Sequence, residues 1–190
     1  TRNPTSGDFI SLGTQQYVSI GENSPTFNRS RITYTHFIPV NFLKFHKGCR
    51  PKPGEKEDCR QAIGLQVKTG TILGELPPYE AFCSGGGQSV RGWSACDLGV
   101  GRSFGEASVE YRFPIWNIVS GAFFVDAGSD LGSQANVPGK PGKLLAKPGS
   151  GVSPGAGLII TTPVGPLRLE GASQGFDGEW RFNLGVGWKF

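Results

Sequence analysis

The sequence predicts an antiparallel β-barrel of about eight strands that crosses a membrane. Three observations carry that expectation. Apolar and polar residues alternate with a period of two in successive segments, the period at which strand side chains change face. The segments are joined by alternately short and long connections, as in outer-membrane barrels with tight turns at one end and long loops at the other. The faces that would turn inward carry charges, Glu106, Glu110, Arg112 and Arg168. A wet lumen accommodates such charges. The dry core of an antiparallel sandwich, the competing architecture, would penalise them.

In chain order, residues 1–8 are turn chemistry and 9–20 read as a strand. A turn at Ser24-Pro25 leads to a second strand over 27–40, with Ile32, Tyr34 and Ile38 on one face and Arg29, Arg31, Thr33 and Thr35 on the other. A hydrophilic loop, 44–60, suits solvent. The third strand, 62–72, sets Ile63, Leu65 and Val67 against Gln66 and Lys68. A long Gly-rich loop over 77–101 follows. The fourth strand, 104–115, alternates Ala107, Val109, Tyr111, Phe113 and Ile115 with Glu106, Ser108, Glu110 and Arg112.

A short turn over 114–117 precedes the fifth strand, 118–128. There Val119, Phe123, Val125 and Ala127 face outward and Ser120, Ala122, Phe124, Asp126 and Gly128 share the other face. A second long loop runs over 129–151. Strands over 155–162, 166–172 and 180–190 complete the set, the first two joined by the turn Pro163-Val164-Gly165. The last is the clearest, with Phe182, Leu184, Val186, Trp188 and Phe190 on one face and Arg181, Asn183, Gly185, Gly187 and Lys189 on the other. Aromatics at strand ends, Tyr111, Phe113, Trp116, Trp188 and Phe190, read as interfacial girdles.

Composition agrees. Hydrophobic residues make up 37% of the 190 residues, below the roughly 45–50% of ordinary domains, a range that also counts Gly. A packed soluble core is therefore under-supplied, whereas a barrel needs only one apolar face per strand. No apolar run approaches the ~18 residues of a spanning helix, which leaves transmembrane strands open. No signal peptide is present and the chain begins with Thr1, so a processed product or a fragment of a longer chain is expected. The net charge of +4 reads as a mildly basic surface. No aromatic-basic recognition pattern appears, and no nucleic-acid partner is expected.

The four cysteines, Cys49, Cys59, Cys83 and Cys96, do not have zinc-site spacing, and no metal is expected. Each lies in a Gly-, Pro- or charge-rich stretch. Two loop disulfides, Cys49–Cys59 and Cys83–Cys96, are the preferred reading in an oxidising compartment. Four free thiols are the alternative, and four cysteines allow three pairings. Enzyme chemistry finds little footing. The Gly-rich segments at 85–87 and 149–157 lack the Lys-Ser/Thr of a phosphate loop. His36 and His46 have no nucleophile partner in a recognisable motif.

The stretch that organises the chain is Phe82-Cys83-Ser84-Gly85-Gly86-Gly87-Gln88-Ser89-Val90-Arg91-Gly92-Trp93, read as a loop. Its glycine run favours positive φ and close approach of chain to chain. Arg91 is placed to reach into something. Asp126 and Glu110 share the polar parity of their strands, so both should point into the lumen. A guanidinium presents a planar fork of donors matched to a carboxylate.

These residues resemble a known family, the BamA-like outer-membrane assembly factors, in its cyanobacterial and chloroplast branch. Gly85 and Gly86 with Val90, Arg91, Gly92 and Trp93 are similar to its loop motif. SVEYRFP at 108–114 and GAFFVDAGSDLG at 121–132 are similar to the strands that follow. NLGVGWKF at 183–190, with Asn183, Gly185, Trp188 and Phe190, resembles the outer-membrane carboxy-terminal signal. LGELPPYEAF at 73–82 and PGKPGKLLAKPGSG at 138–151 are similar to the plastid branch. Glu170 stands where the family pattern has Asp, and Ile159 where it has a polar lumen residue.

The resemblance spans the whole chain but only the carboxy-terminal half of a sixteen-stranded barrel. It implies one barrel domain over 1–190, with 77–101 entering the lumen and no POTRA domain in this chain. It implies integral residence in an outer membrane, of a Gram-negative or cyanobacterial cell or of the chloroplast envelope, in contact with membrane lipid. The implied activity is insertion, assembly or translocation of unfolded β-barrel clients, without enzymatic chemistry or a cofactor. Arg91 is implied to meet Asp126, with Glu110 nearby, as a lumen lock. The missing amino-terminal half, or another copy, is implied as the barrel's complement. A two-partner secretion barrel and a small closed eight-stranded pore, anchor or receptor are the alternatives.

Overall fold

The computed structural model describes residues 4–190. Eight strands form one antiparallel sheet: β1 (Gly7–Tyr17), β2 (Phe27–Pro39), β3 (Ala62–Gly74), β6 (Ser103–Trp116), β7 (Val119–Ser129), β8 (Ser150–Thr162), β9 (Gly165–Ser173) and β10 (Trp180–Val186). They pair in chain order, β1-β2-β3-β6-β7-β8-β9-β10. Among the described residues β1 and β10 are each paired on one side only, so the sheet is an open wall. Two short strands, β4 (Phe82–Ser84) and β5 (Gly99–Gly101), make a small separate ladder.

Burial is inverted relative to a soluble domain. On the inner face Gln66, Ser108, Glu110, Arg112, Asp126 and Glu170 are buried, while outward Val67, Phe123, Phe182, Leu184 and Val186 are exposed. An outward apolar band opposite a polar interior is the surface of a membrane barrel. No helix among the described residues is long and apolar enough to cross a membrane.

Three expectations change. The opening of the Gly-rich loop is not all loop, because Phe82–Ser84 pairs with Gly99–Gly101 and brackets the motif with a ladder. Connection length does not sort by end. The long 40–61 segment lies at the same end as the two-residue turns Asn117-Ile118 and Pro163-Val164, since it joins β2 to β3 there. Finally, β10 stops at Val186. Gly187 takes φ +90°, which breaks the strand. The alternation predicted to run through Phe190 therefore ends early. Trp188 and Phe190 do not continue the outer girdle: their rings lie 4.8 and 5.1 Å from the guanidinium of inward-facing Arg112.

Candidate functional site

Between β4 and β5 the chain makes a compact turn that lies against the inner face of the wall. Gly85 and Gly86 have φ of +122° and +100°, values that favour glycine. The Gly86 N–H donates to the Trp93 carbonyl at 2.8 Å and the Ser89 N–H to the Gly86 carbonyl at 3.0 Å, closing the turn on itself. Cys83 and Cys96 are bonded across its base, and Cys49 is bonded to Cys59 in the 40–61 segment.

The turn is seated by shape. Val90, Trp93 and Leu98 form one buried cluster. The wall beneath is cut back by glycine. A Cβ at Gly128 would come within 2.7 Å of Val90, and one at Gly151 within 2.5 Å of Trp93. Gly92 itself presses on Ser153 and the Ser173 carbonyl, leaving no room for a side chain.

Arg91 is the largest fully buried side chain among the described residues, with no exposed surface. Its Nε donates to Asp126 Oδ2 at 2.7 Å and its Nη2 to Oδ1 at 2.9 Å, a bidentate fork. Its backbone N–H also reaches Oδ2, at 3.2 Å. Nη1 donates to Glu170 at 3.0 Å and to Glu110 at 3.4 Å. The guanidinium carbon lies 3.3 Å from the centre of the Phe124 ring, a cation–π seat out of water. Burial alone would lower the Arg91 pKa. The hydrogen bonds and charge of Asp126, with the charges of Glu110 and Glu170, outweigh it and hold the pKa above its ordinary value.

The predicted pair is part of a larger network. Glu110 also accepts from Arg112 at 3.1 Å, and Glu170 from Arg168 at 3.1 Å. Ser108 donates to Asp126 at 2.5 Å, and Lys189 Nζ lies 3.1 Å from the same oxygen. Glu170, Arg168 and Lys189 were not assigned to the lock from the sequence. Their inward parity was visible, but their convergence on Arg91 and Asp126 needed the three-dimensional wall.

The terminal segment is tied to the same turn. Asn183 Nδ2 donates to the Arg91 carbonyl at 3.0 Å, Arg181 to Ser94 Oγ, and Lys189 Nζ to the Ser89 carbonyl at 2.8 Å. Gly185 lies against Arg168, and Arg112 donates to the Phe190 carbonyl at 2.7 Å. No cluster of His, Cys, Asp and Glu able to hold a metal occurs among the described residues.

Residues 1–190 match the Omp85 superfamily domain. The chain belongs to the Omp85 superfamily. Outer envelope protein 80, chloroplastic, of Arabidopsis thaliana is 44% identical over 123 residues, 65% of this Omp85 chain and 17% of that protein. Protein TOC75-3, chloroplastic, of the same plant is 37% identical over 155 residues, 82% of this chain and 17% of that protein. The chain thus spans about one sixth of the length of these relatives. The crystal structure of BamA from Haemophilus ducreyi lacking POTRA domains 1–3 superposes with a TM-score of 0.64. It covers 96% of this chain and 37% of that one at 16% identity, a likeness of fold. The Omp85 match agrees with the all-β, barrel-wall architecture read from the alternation.

Proposed function

We propose that this Omp85 chain is the barrel wall of a protein that inserts, assembles or translocates β-barrel proteins at the outer envelope membrane of a chloroplast. Outer envelope protein 80 is named for that envelope, and both plant relatives are named as chloroplastic. The observation that carries the reading is the burial of Arg91 among Asp126, Glu110 and Glu170, which ties a lumen turn to the wall through charge. The work is non-covalent. The turn braces the inner face of β6, β7 and β9 and, through Asn183 and Lys189, holds the terminal segment. The free edge of β10 presents unpaired N–H and C=O groups that can template an incoming client strand. The missing amino-terminal half of the barrel, or another copy, would occupy the remaining edge.

The test is client insertion into proteoliposomes by the full-length protein carrying Arg91→Ala or Asp126→Ala, alongside the heat-modifiable gel mobility of its barrel. Both variants should lose insertion and weaken the compact form. Normal insertion with normal mobility in the Arg91 variant contradicts the proposal. Ion conductance without insertion by the unaltered protein would point instead to a simple pore.

A further inference from the structure

The 40–61 segment is not used by the arginine site. Its first arm carries a repeated pattern, Phe42, Lys44, Phe45, Lys47, Arg50, Lys52, with no carboxylate between residues 41 and 54. Glu55, Glu57 and Asp58 fall on the return arm. Phe42 and Phe45 are 67% and 59% exposed. They lie over the outer face of the wall, Phe42 with its ring 5.8 Å from Tyr111 and Phe45 with its ring 6.1 Å from Phe113. Tyr111 and Phe113 have the outward parity of β6. Phe113 is 5.2 Å from Tyr111 and 5.5 Å from Phe123 of β7. Five rings thus make one continuous aromatic band at the rim.

The arm is held there by the fold. Gln61, 1% exposed, accepts at Oε1 from the Tyr111 hydroxyl at 2.5 Å and from the N–H groups of Phe42 and Leu43 at 3.1 and 3.2 Å. The Cys49–Cys59 bond closes the far part of the segment. The four cations that interleave with and follow the rings are exposed. Aromatic rings at the apolar boundary with cations just beyond them are how protein surfaces anchor at a bilayer interface.

We propose that the 42–52 arm is a docking surface for anionic lipid headgroups of the adjacent leaflet. Phe42 and Phe45 extend the lipid-facing band past the strand ends. Lys44, Lys47, Arg50 and Lys52 then stand at headgroup level, where an anionic leaflet attracts each of them. An acidic protein would answer the charge but would leave two phenylalanines laid on the outward aromatic row without a role. The assignment rests on the wall being embedded in a membrane and is independent of client insertion.

The full-length protein in neutral detergent micelles is titrated with phosphatidylglycerol and, separately, with phosphatidylcholine, followed by tryptophan fluorescence. Phosphatidylglycerol should bind more tightly, and added salt should erase the difference. Lys44→Gln/Lys47→Gln/Arg50→Gln should weaken phosphatidylglycerol binding on the order of a hundredfold and leave phosphatidylcholine unaffected. Lys140→Gln/Lys143→Gln, at the opposite end of the wall, should keep the preference. Equal binding of the two lipids, or a preference that survives the triple substitution, overturns the proposal. So does a response to polyglutamate peptide in place of phosphatidylglycerol. Unchanged heat-modifiable mobility of the triple variant shows that a loss is not a folding failure.

Discussion

Arg91 grips Asp126 three times, with Nε at 2.7 Å, Nη2 at 2.9 Å and its own backbone N–H at 3.2 Å. Both side chains are almost fully out of water, so neither charge has an alternative partner in solvent. Removing Asp126 strips Arg91 of its fork and Lys189 of its carboxylate, with Glu170 and Glu110 left to hold only Nη1; breaking a buried pair in this way costs about 3–5 kcal/mol. Asp126→Ala should therefore lower the urea unfolding free energy of the barrel by about that amount. Loss below ~1 kcal/mol would mean that the pair is not desolvated in solution.

Arg91→Lys tests geometry separately from charge. A lysine ammonium cannot make the fork to both Asp126 oxygens or lie flat on Phe124 as a guanidinium does. The substitution should restore only part of the stability lost in Arg91→Ala, read by thermal unfolding. Full restoration would reduce the site to a simple point charge.

Glu170 supplies a single contact to Nη1 at 3.0 Å, whereas Asp126 supplies the fork. Glu170→Gln should cost about 1.5–3 kcal/mol, less than Asp126→Asn, as measured in matched urea titrations. The reverse order would place the principal anchor on β9 instead of β7.

Packing gives a prediction independent of charge. Gly151→Val would drive two methyl groups toward the Trp93 ring, already 2.5 Å from an added Cβ. Overpacking of this kind costs about 1–3 kcal/mol. The turn should come off the wall, and protease cleavage within 85–98 should rise. A protected turn in that variant would show that the glycine socket is not what seats Trp93.

The base of the turn is closed by Cys83–Cys96, with 13 residues of separation. Opening it should destabilise the turn by about 2–4 kcal/mol in the loop-entropy account. Cys83→Ser/Cys96→Ser should increase cleavage within 85–98, whereas Cys49→Ser/Cys59→Ser should leave that cleavage unchanged. Equal effects of the two pairs would contradict a local clasp.

Much of the wall was legible in the sequence because strand parity is a local property. Glu110 and Asp126 could be placed inward from their neighbours alone, and the motif around Arg91 gave them a partner. Arg168 and Glu170 carried the same parity. Nothing local showed that β9 lies close enough to share Arg91, since that depends on how far the wall bends round the turn. The terminal residues were misread for a different reason. Alternation through Trp188 and Phe190 is intact in the sequence, but Gly187 adopts a positive φ and turns both rings toward Arg112. A glycine permits that turn without announcing it. The outer aromatic band was half visible. Tyr111 and Phe113 were expected in the girdle, but Phe42 and Phe45 join it only because Gln61 folds their segment back over the strand ends.

The most direct test of the lock is a double-mutant cycle on Arg91 and Asp126, with unfolding free energy and client insertion read on the same preparations of full-length protein. If the turn is anchored by this pair, Arg91→Ala/Asp126→Ala will be little worse than either single variant, so the coupling will approach the cost of one substitution, about 3 kcal/mol, with the same loss of insertion. Strictly additive losses in both readouts would show that the two residues act separately and would contradict the account.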